Sequence, residues 1–98
     1  MKTYHVIKLD RRHKGTTLFQ YYVEPVFHTH ITDKVKFYEW RNWCWNTWGP
    51  SIERDAALDF GSNHYNVARW SWHTENGLKR IYFKSDKELN WFNLKWNI

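Results

Sequence analysis

The side chains best suited to chemistry in this chain are its histidines, its single cysteine and its carboxylates. His28 and His30 lie on one side of an extended segment, but a transition-metal site needs about three or four ligands and the spacing identifies no others. Cys44 lies near the C-terminal end of a predicted helix, where the helix dipole disfavours a thiolate. Asp55 and Asp59 share a helix face, yet acid–base catalysis needs a pocket around them. We therefore expect no enzymatic activity, no metal site and no cofactor.

The surplus of aromatic residues is the stronger functional signal. Of the 98 residues, 8 are Trp, 6 are Tyr and 6 are Phe. A domain of this size buries only about 60–65% of the surface that its unfolded chain exposes, so some of these rings must reach solvent. Exposed Trp and Tyr beside Arg are typical of protein-interface hot spots, and beside Lys and Arg they also stack on single-stranded nucleic acid. The composition leaves both kinds of partner open.

The excess positive charge is concentrated near the start of the chain. The formal net charge is +5, and Arg11, Arg12 and Lys14 fall within one predicted turn. Such a cluster fits either an anionic partner or a solvated turn. No apolar run is long enough to span a bilayer, and the first residues lack the apolar core of a signal peptide. We expect a cytoplasmic protein that does not enter a membrane.

Two β-hairpins are predicted from local patterns. Alternation over 3–9 and the β-branched and aromatic run over 16–23 predict the first hairpin, whose second strand ends at Pro25. In the second hairpin, Asn76–Gly77 separates two strand-like runs within 67–84, which is the signature of a type I′ turn.

Helices are predicted between and after the hairpins. A start at Thr32 and a stop at Gly49–Pro50 predict a helix over 32–48, and residues 51–60 fit a short second helix. Ser85 and Glu88 form a capping box that opens a last helix. The order ββ-α-(α)-ββ-α predicts one α+β domain over 1–98, with an antiparallel sheet from two hairpins and helices packed on one face.

The second hairpin is expected to have one core face and one exposed face. A two-residue loop places Trp70 opposite Phe83 and Trp72 opposite Ile81 on the core face. The opposite face then carries Arg69, Ser71, His73, Arg80, Tyr82 and Lys84. Like charges face each other there, which is mildly destabilising on a sheet. Either this face binds a partner, or acidic groups from another element neutralise it.

The helix over 32–48 is apolar over more than one face. A core stripe at three- and four-residue spacing comprises Phe37, Trp40, Cys44 and Trp48. Trp43 and Trp45 lie off this stripe. Either the helix is covered on several sides, or these two rings lie at a binding surface.

The chain resembles small tryptophan-rich proteins of tailed bacteriophages. Trp43–Cys44, Trp48–Gly49–Pro50, the run 82–89 and the run 92–96 carry the resemblance, which covers about 37–49 and 80–96. It implies a setting in the cytoplasm of an infected bacterium and an accessory role in which the protein binds and modulates a host protein. It assigns no functional residues.

We therefore predict a non-enzymatic protein that binds a host protein, or alternatively nucleic acid through the basic, aromatic hairpin face. An exposed aromatic patch could also mediate self-association into a homo-oligomer. The predicted partner-binding residues are Arg11, Arg12, Lys14, Trp43, Trp45, Arg69, His73, Arg80, Tyr82 and Lys84.

Overall fold

A computed structural model describes residues 4–12, 18–25, 31–54, 69–74 and 79–96. It confirms an α+β fold with a four-stranded antiparallel sheet and two helices, in the strand order β1-β2-β4-β3. The elements are β1 (Tyr4–Lys8), β2 (Tyr21–Pro25), α1 (Ile31–Trp48), β3 (Trp70–His73), β4 (Arg80–Phe83) and α2 (Asp86–Trp96).

The register predicted for the second hairpin is confirmed. Trp70 pairs with Phe83 and Trp72 pairs with Ile81. The predicted turn at Asn76–Gly77 lies outside the described residues. Because β2 pairs with both β1 and β4, β3 is left at an edge of the sheet. Trp72 is only partly buried, although the sequence places this residue in the core.

The first hairpin starts its second strand later than predicted. β2 begins at Tyr21, after a turn that includes Leu18–Gln20, and it ends at Pro25 as expected. Proline is tolerated there because the ladder needs no further N–H donor.

Within the described residues, two of the three predicted helices form, α1 and α2, and α1 begins at Ile31, one residue before the predicted start at Thr32. Gly49 has a φ of 95° and donates its N–H to the Trp45 carbonyl at 2.9 Å, so it ends α1 in the left-handed conformation that glycine tolerates. The Ser85 hydroxyl donates to a Glu88 carboxylate oxygen at 2.5 Å where α2 begins.

The main core lies between the helices and one face of the sheet. Phe92 of α2 is fully buried, with ring centroids 5.5 Å from Trp40 and 5.1 Å from Phe83. The Tyr4 ring packs against the rings of Trp40 and Phe92. Its hydroxyl donates a hydrogen bond to Asn93 Oδ1 at 2.5 Å, which connects β1 to α2. The stripe predicted for α1 is confirmed, since Phe37, Trp40 and Cys44 are buried.

The opposite face of the sheet is also covered. A second apolar cluster contains Leu9, Phe19, Tyr22 and Tyr82. Residues 51–54 run beside β3, where Glu53 forms a parallel bridge with Trp72. The hydroxyl of Ser71 donates to the Ile52 carbonyl at 2.5 Å. Of the helix predicted over 51–60, residues 51–53 are not helical, and 55–60 lie outside the described residues.

Candidate binding surfaces

The hairpin face that was expected to be exposed is buried, so that expectation is wrong. Tyr82, His73 and Ser71 retain 1%, 5% and 0% of their accessible surface. The cause is the segment 51–54, which packs beside β3 and extends the Arg54 side chain over this face. Arg54 Nη1 donates to the Tyr82 hydroxyl at 2.8 Å, and its guanidinium carbon lies 5.5 Å from the centre of the same ring.

His73 is held in one tautomer by its two neighbours. Its Nδ1 lies 2.5 Å from Glu53 Oε1, and its Nε2 lies 3.3 Å from Arg54 Nη2. Arginine can only donate, so Nε2 accepts and Nδ1 carries the proton that is donated to Glu53. Both ring nitrogens are therefore engaged, and His73 supports the fold instead of facing a partner.

Acidic residues from other elements lie beside both members of the Arg80–His73 cross-strand pair. Arg80 pairs with His73 in the register and donates Nε–H to Glu24 Oε2 of β2 at 3.1 Å. Its guanidinium carbon also lies 4.4 Å from the centre of the Tyr22 ring. Of the two alternatives for this face, the structure contains the neutralised arrangement, with Glu24 beside Arg80 and Glu53 beside His73.

The remaining basic candidates lie at one end of the sheet. The Lys84 N–H donates to the Arg69 carbonyl at 3.0 Å, just beyond the Trp70–Phe83 pair. Arg11 and Arg12 are exposed in the turn after β1, which the register places at the same end. Arg12 Nη2 makes an ion pair with Asp10 at 3.0 Å. Lys14 lies outside the described residues.

Trp43 is half-buried between the helices. Its ring centroid is 5.2 Å from that of Trp48 and 6.4 Å from that of Trp96. Of the two alternatives for this side of α1, the structure has Trp43 partly covered by α2. It still lines a cavity with Trp91.

Trp45 belongs to an exposed aromatic surface on the outer side of α1. The Trp45 and Tyr38 side chains keep 46% and 41% of their accessible surface. The guanidinium carbon of Arg41 lies 4.8 Å from the centre of the Tyr38 ring and 5.5 Å from that of Trp72. We call this the α1 surface, and it comprises Tyr38, Arg41, Asn42, Trp45 and Trp72.

The α1 surface includes a recess. Arg41, Asn42, Trp45 and Trp72 line a cavity of about 430 Å³. Sequence reasoning missed all of this surface except Trp45. A signal was present, since Tyr38, Asn42 and Trp45 recur at four- and three-residue spacing and so share one side of a helix.

A second exposed surface centres on Trp91 of α2. Trp91 and Leu94 keep 54% and 77% of their accessible surface. A first cavity, of about 340 Å³, is lined by Thr47, Trp48, Arg69, Lys87, Glu88 and Trp91. A second cavity, of about 260 Å³, shares Trp91 and is also lined by Trp43, Leu94 and Lys95. We call the two cavities together the Trp91 groove.

Of the residues first considered for catalysis or metal binding, the structure describes only Cys44. Cys44 is fully buried, and burial raises the pKa of its thiol, so the thiolate needed for nucleophilic attack is disfavoured. Within the described ranges, no three histidine, cysteine or carboxylate side chains are grouped to hold a metal ion. His28, His30, Asp55 and Asp59 lie outside those ranges.

Comparison with other proteins gives no relative from which function could be transferred. No protein-family model, curated protein or solved structure matches this chain. In the part of the chain that the structure describes, no helix is long and apolar enough to cross a membrane. The functional argument therefore depends on the α1 surface and the Trp91 groove.

Proposed function

We propose that this chain is a small non-enzymatic binding protein, a bacteriophage accessory factor that binds and modulates a host protein through the α1 surface. The observation that carries the proposal is the stacking of Arg41 against Tyr38 and Trp72, beside the exposed ring of Trp45. Trp, Tyr and Arg are the residues that dominate binding energy at protein interfaces.

The α1 surface is preorganised for association. α1 is fixed to the sheet by Phe37, Trp40 and Cys44, which are all buried. The two rings beside Arg41 restrict its rotamers before any partner arrives. Ordering a flexible side chain at an interface costs about 0.5–1.5 kcal/mol, so a side chain that is already held adds more to affinity.

The cavity beside Trp45 gives this surface its specificity. A partner side chain that enters the space between Trp45 and Trp72 would be surrounded by apolar rings and by the polar groups of Arg41 and Asn42. Enclosed anchor positions of this kind are where hot-spot residues of partner proteins insert.

The bacteriophage setting and the absence of catalysis have separate support. The setting is supported by the resemblance over 37–49 and 80–96. The non-enzymatic role is supported by the burial of Cys44 and by the engagement of both His73 ring nitrogens. Tyr82 and His73 are buried on the hairpin face that the sequence predicts as an alternative nucleic-acid site. A protein partner at the α1 surface is therefore favoured over nucleic acid at that face.

The test is capture of a partner from a nuclease-treated bacterial host lysate with three forms of the protein. We expect the wild type and Trp91→Ala to retain the same stoichiometric protein, and Trp45→Ala to lose it. Trp91→Ala is the matched control, since it removes an equally exposed tryptophan from the other helix. Thermal unfolding must show that all three forms are folded.

Two results would contradict the proposal. One is equal capture by Trp45→Ala and the wild type. The other is a wild-type homodimer, seen by sedimentation, that Trp45→Ala converts to a monomer while no host protein is retained. That result would assign the α1 surface to self-association.

A further inference from the structure

We propose that the Trp91 groove binds single-stranded nucleic acid, with a base stacked on Trp91 and the backbone phosphates at Arg69, Lys87 and Lys95. This inference goes beyond the proposed protein-binding function. It concerns a different helix, a different set of side chains and a different class of ligand, so either can hold without the other.

The aromatic part of the groove fits stacking by bases. Trp91 is more than half exposed, and it lines both cavities of the groove. Trp48 lines the first cavity and Trp43 lines the second, and these two rings contact each other with centroids 5.2 Å apart. Trp91 is therefore the indole of the groove that is exposed for stacking, and stacking on aromatic side chains contributes about 1–3 kcal/mol per base in single-strand binding proteins.

The charges around the groove fit an anionic backbone. Arg69 and Lys87 line the first cavity, and Lys95 lines the second. Lys87 and Lys95 lie four residues before and four residues after Trp91, so all three side chains project from the same side of α2.

The acidic residues of α2 are directed to other partners. Glu88 also lines the first cavity, but it is 5% exposed and its carboxylate accepts a hydrogen bond from the Ser85 hydroxyl. Asp86 accepts a hydrogen bond from Tyr21 of β2. The exposed charge that a ligand meets in the groove is therefore positive.

The dimensions of the groove favour a single strand over a duplex. Cavities of about 340 and 260 Å³ are at or below the lower end of the range for small-molecule sites and accept small planar groups one at a time. A duplex presents paired bases whose faces are already stacked on one another, so it cannot offer a base face to Trp91. An acidic peptide could contact the cations but would not use the indole faces.

The experiment titrates the protein into fluorescently labelled oligo(dT) and oligo(U), each eight nucleotides long, and measures their fluorescence anisotropy at about 50 mM salt. We expect saturable binding of a single strand, and weaker binding of a duplex of the same length. Trp91→Ala should weaken binding about five- to hundredfold, which corresponds to the stacking free energy of one base. Trp91→Phe should restore part of this loss because it retains a ring.

The charge contribution is tested in the same assay. The double variant Arg69→Gln and Lys87→Gln should weaken binding and flatten its dependence on the logarithm of salt concentration by about 1.4, since each phosphate contact to a single strand contributes about 0.7. Trp45→Ala is the control and should bind the oligonucleotide like the wild type.

Three results would overturn the proposal: no binding of either oligonucleotide at low salt, equal binding of the duplex, or wild-type affinity in Trp91→Ala. Displacement of the bound strand by poly(Glu) at equal charge concentration would also overturn it, because it would show that the site recognises charge alone. Loss of the host protein in Trp45→Ala bears only on the α1 surface, so failure of one proposal is distinguishable from failure of the other.

Discussion

The α1 surface and the Trp91 groove each display an exposed tryptophan on a helix, yet they differ in how their cations are held. At the α1 surface, the one basic side chain, Arg41, lies against two aromatic rings. In the groove, Arg69 and Lys87 line the first cavity, and Lys95, whose Nζ lies 5.4 Å from the centre of the Trp96 ring, lines the second. The α1 surface thus has one arginine beside two rings, whereas the groove has three cations distributed over two cavities.

The buried face of the β3–β4 hairpin is a third region in which arginines lie beside aromatic rings. It also combines arginines with tyrosines, but Arg54 and Arg80 are directed at Tyr82 and Tyr22 in the interior. Composition alone does not distinguish these three regions. Strand order and the path of residues 51–54 determine which of them faces solvent.

The largest expected effect is loss of stability in Arg54→Ala. This substitution leaves the Tyr82 hydroxyl and His73 Nε2 without their buried partner. A buried polar group left without its hydrogen-bond partner costs about 1–3 kcal/mol in the free energy of unfolding, and two such groups are affected, as urea denaturation would measure. Arg11→Ala, at an exposed turn, is the control and should change stability by less than about 0.5 kcal/mol. A cost below 1 kcal/mol for Arg54→Ala would mean that the hairpin face is open, and it would again be a candidate surface.

The two exposed surfaces should differ in how strongly salt lowers their affinity for their ligands. If the three cations of the groove each contact a phosphate, the affinity for a single strand should fall about 20-fold between 50 and 200 mM salt. The affinity of the α1 surface for its protein partner should fall less than about threefold, because one stacked arginine contributes little long-range attraction. Equal salt dependence at both surfaces would remove the distinction between them.

Tyr4→Phe should lower the local stability of α2, which carries Trp91, more than that of α1, which carries Trp45. The substitution removes the hydrogen bond to Asn93 on α2, with an expected cost of about 1 kcal/mol. Hydrogen exchange should then quicken in α2 before it quickens in α1. Equal acceleration in both helices would contradict this assignment.

The same tyrosine predicts a dependence of stability on alkaline pH. Burial raises the pKa of Tyr4 from its ordinary value of 10.0 to about 12. The folded state therefore keeps a proton that the unfolded chain loses, and this contribution to stability is present below pH 10 and lost as the pH rises from about 10 through 12. The wild type should lose more stability than Tyr4→Phe across this window, as measured by urea denaturation at each pH.

The smallest expected effect is that of Arg41→Lys. A lysine keeps the charge but loses the planar group that stacks on Tyr38 and Trp72. Affinity for the protein partner should fall about two- to fivefold, corresponding to roughly 0.5–1 kcal/mol for an exposed cation–π contact. Oligonucleotide affinity should not change, and a change there would show that the two surfaces are coupled.

Local signals in the sequence predicted most of the fold. The capping box at Ser85, the stop at Gly49 and the register that pairs Trp72 with Ile81 each depend on residues close together in the chain. The core stripe of α1 follows from helical periodicity alone. These features could be predicted because each is determined within one element or one hairpin.

The buried hairpin face could not be predicted in this way. Its cover comes from residues 51–54, which have no periodic pattern and which reach β3 across a separation of about 20 residues. Trp72 belongs to the α1 surface because Arg41 of α1 reaches within 5.5 Å of its ring centre, and no local pattern predicts this contact between a helix and a distant strand. Long-range pairing also brings Arg69 beside Trp91, so the groove could not be recognised from the sequence.

The central claim is that the α1 surface is where a protein partner docks. The most direct measurement is the dissociation constant of the captured partner for the wild type, Trp45→Ala and Trp91→Ala at equal thermal stability. We predict that Trp45→Ala binds at least about 30-fold more weakly, as for a hot-spot residue that contributes about 2 kcal/mol, and that Trp91→Ala binds like the wild type. A Trp45→Ala affinity within about threefold of the wild type would contradict the claim, since such a value is typical of a residue outside the hot spot.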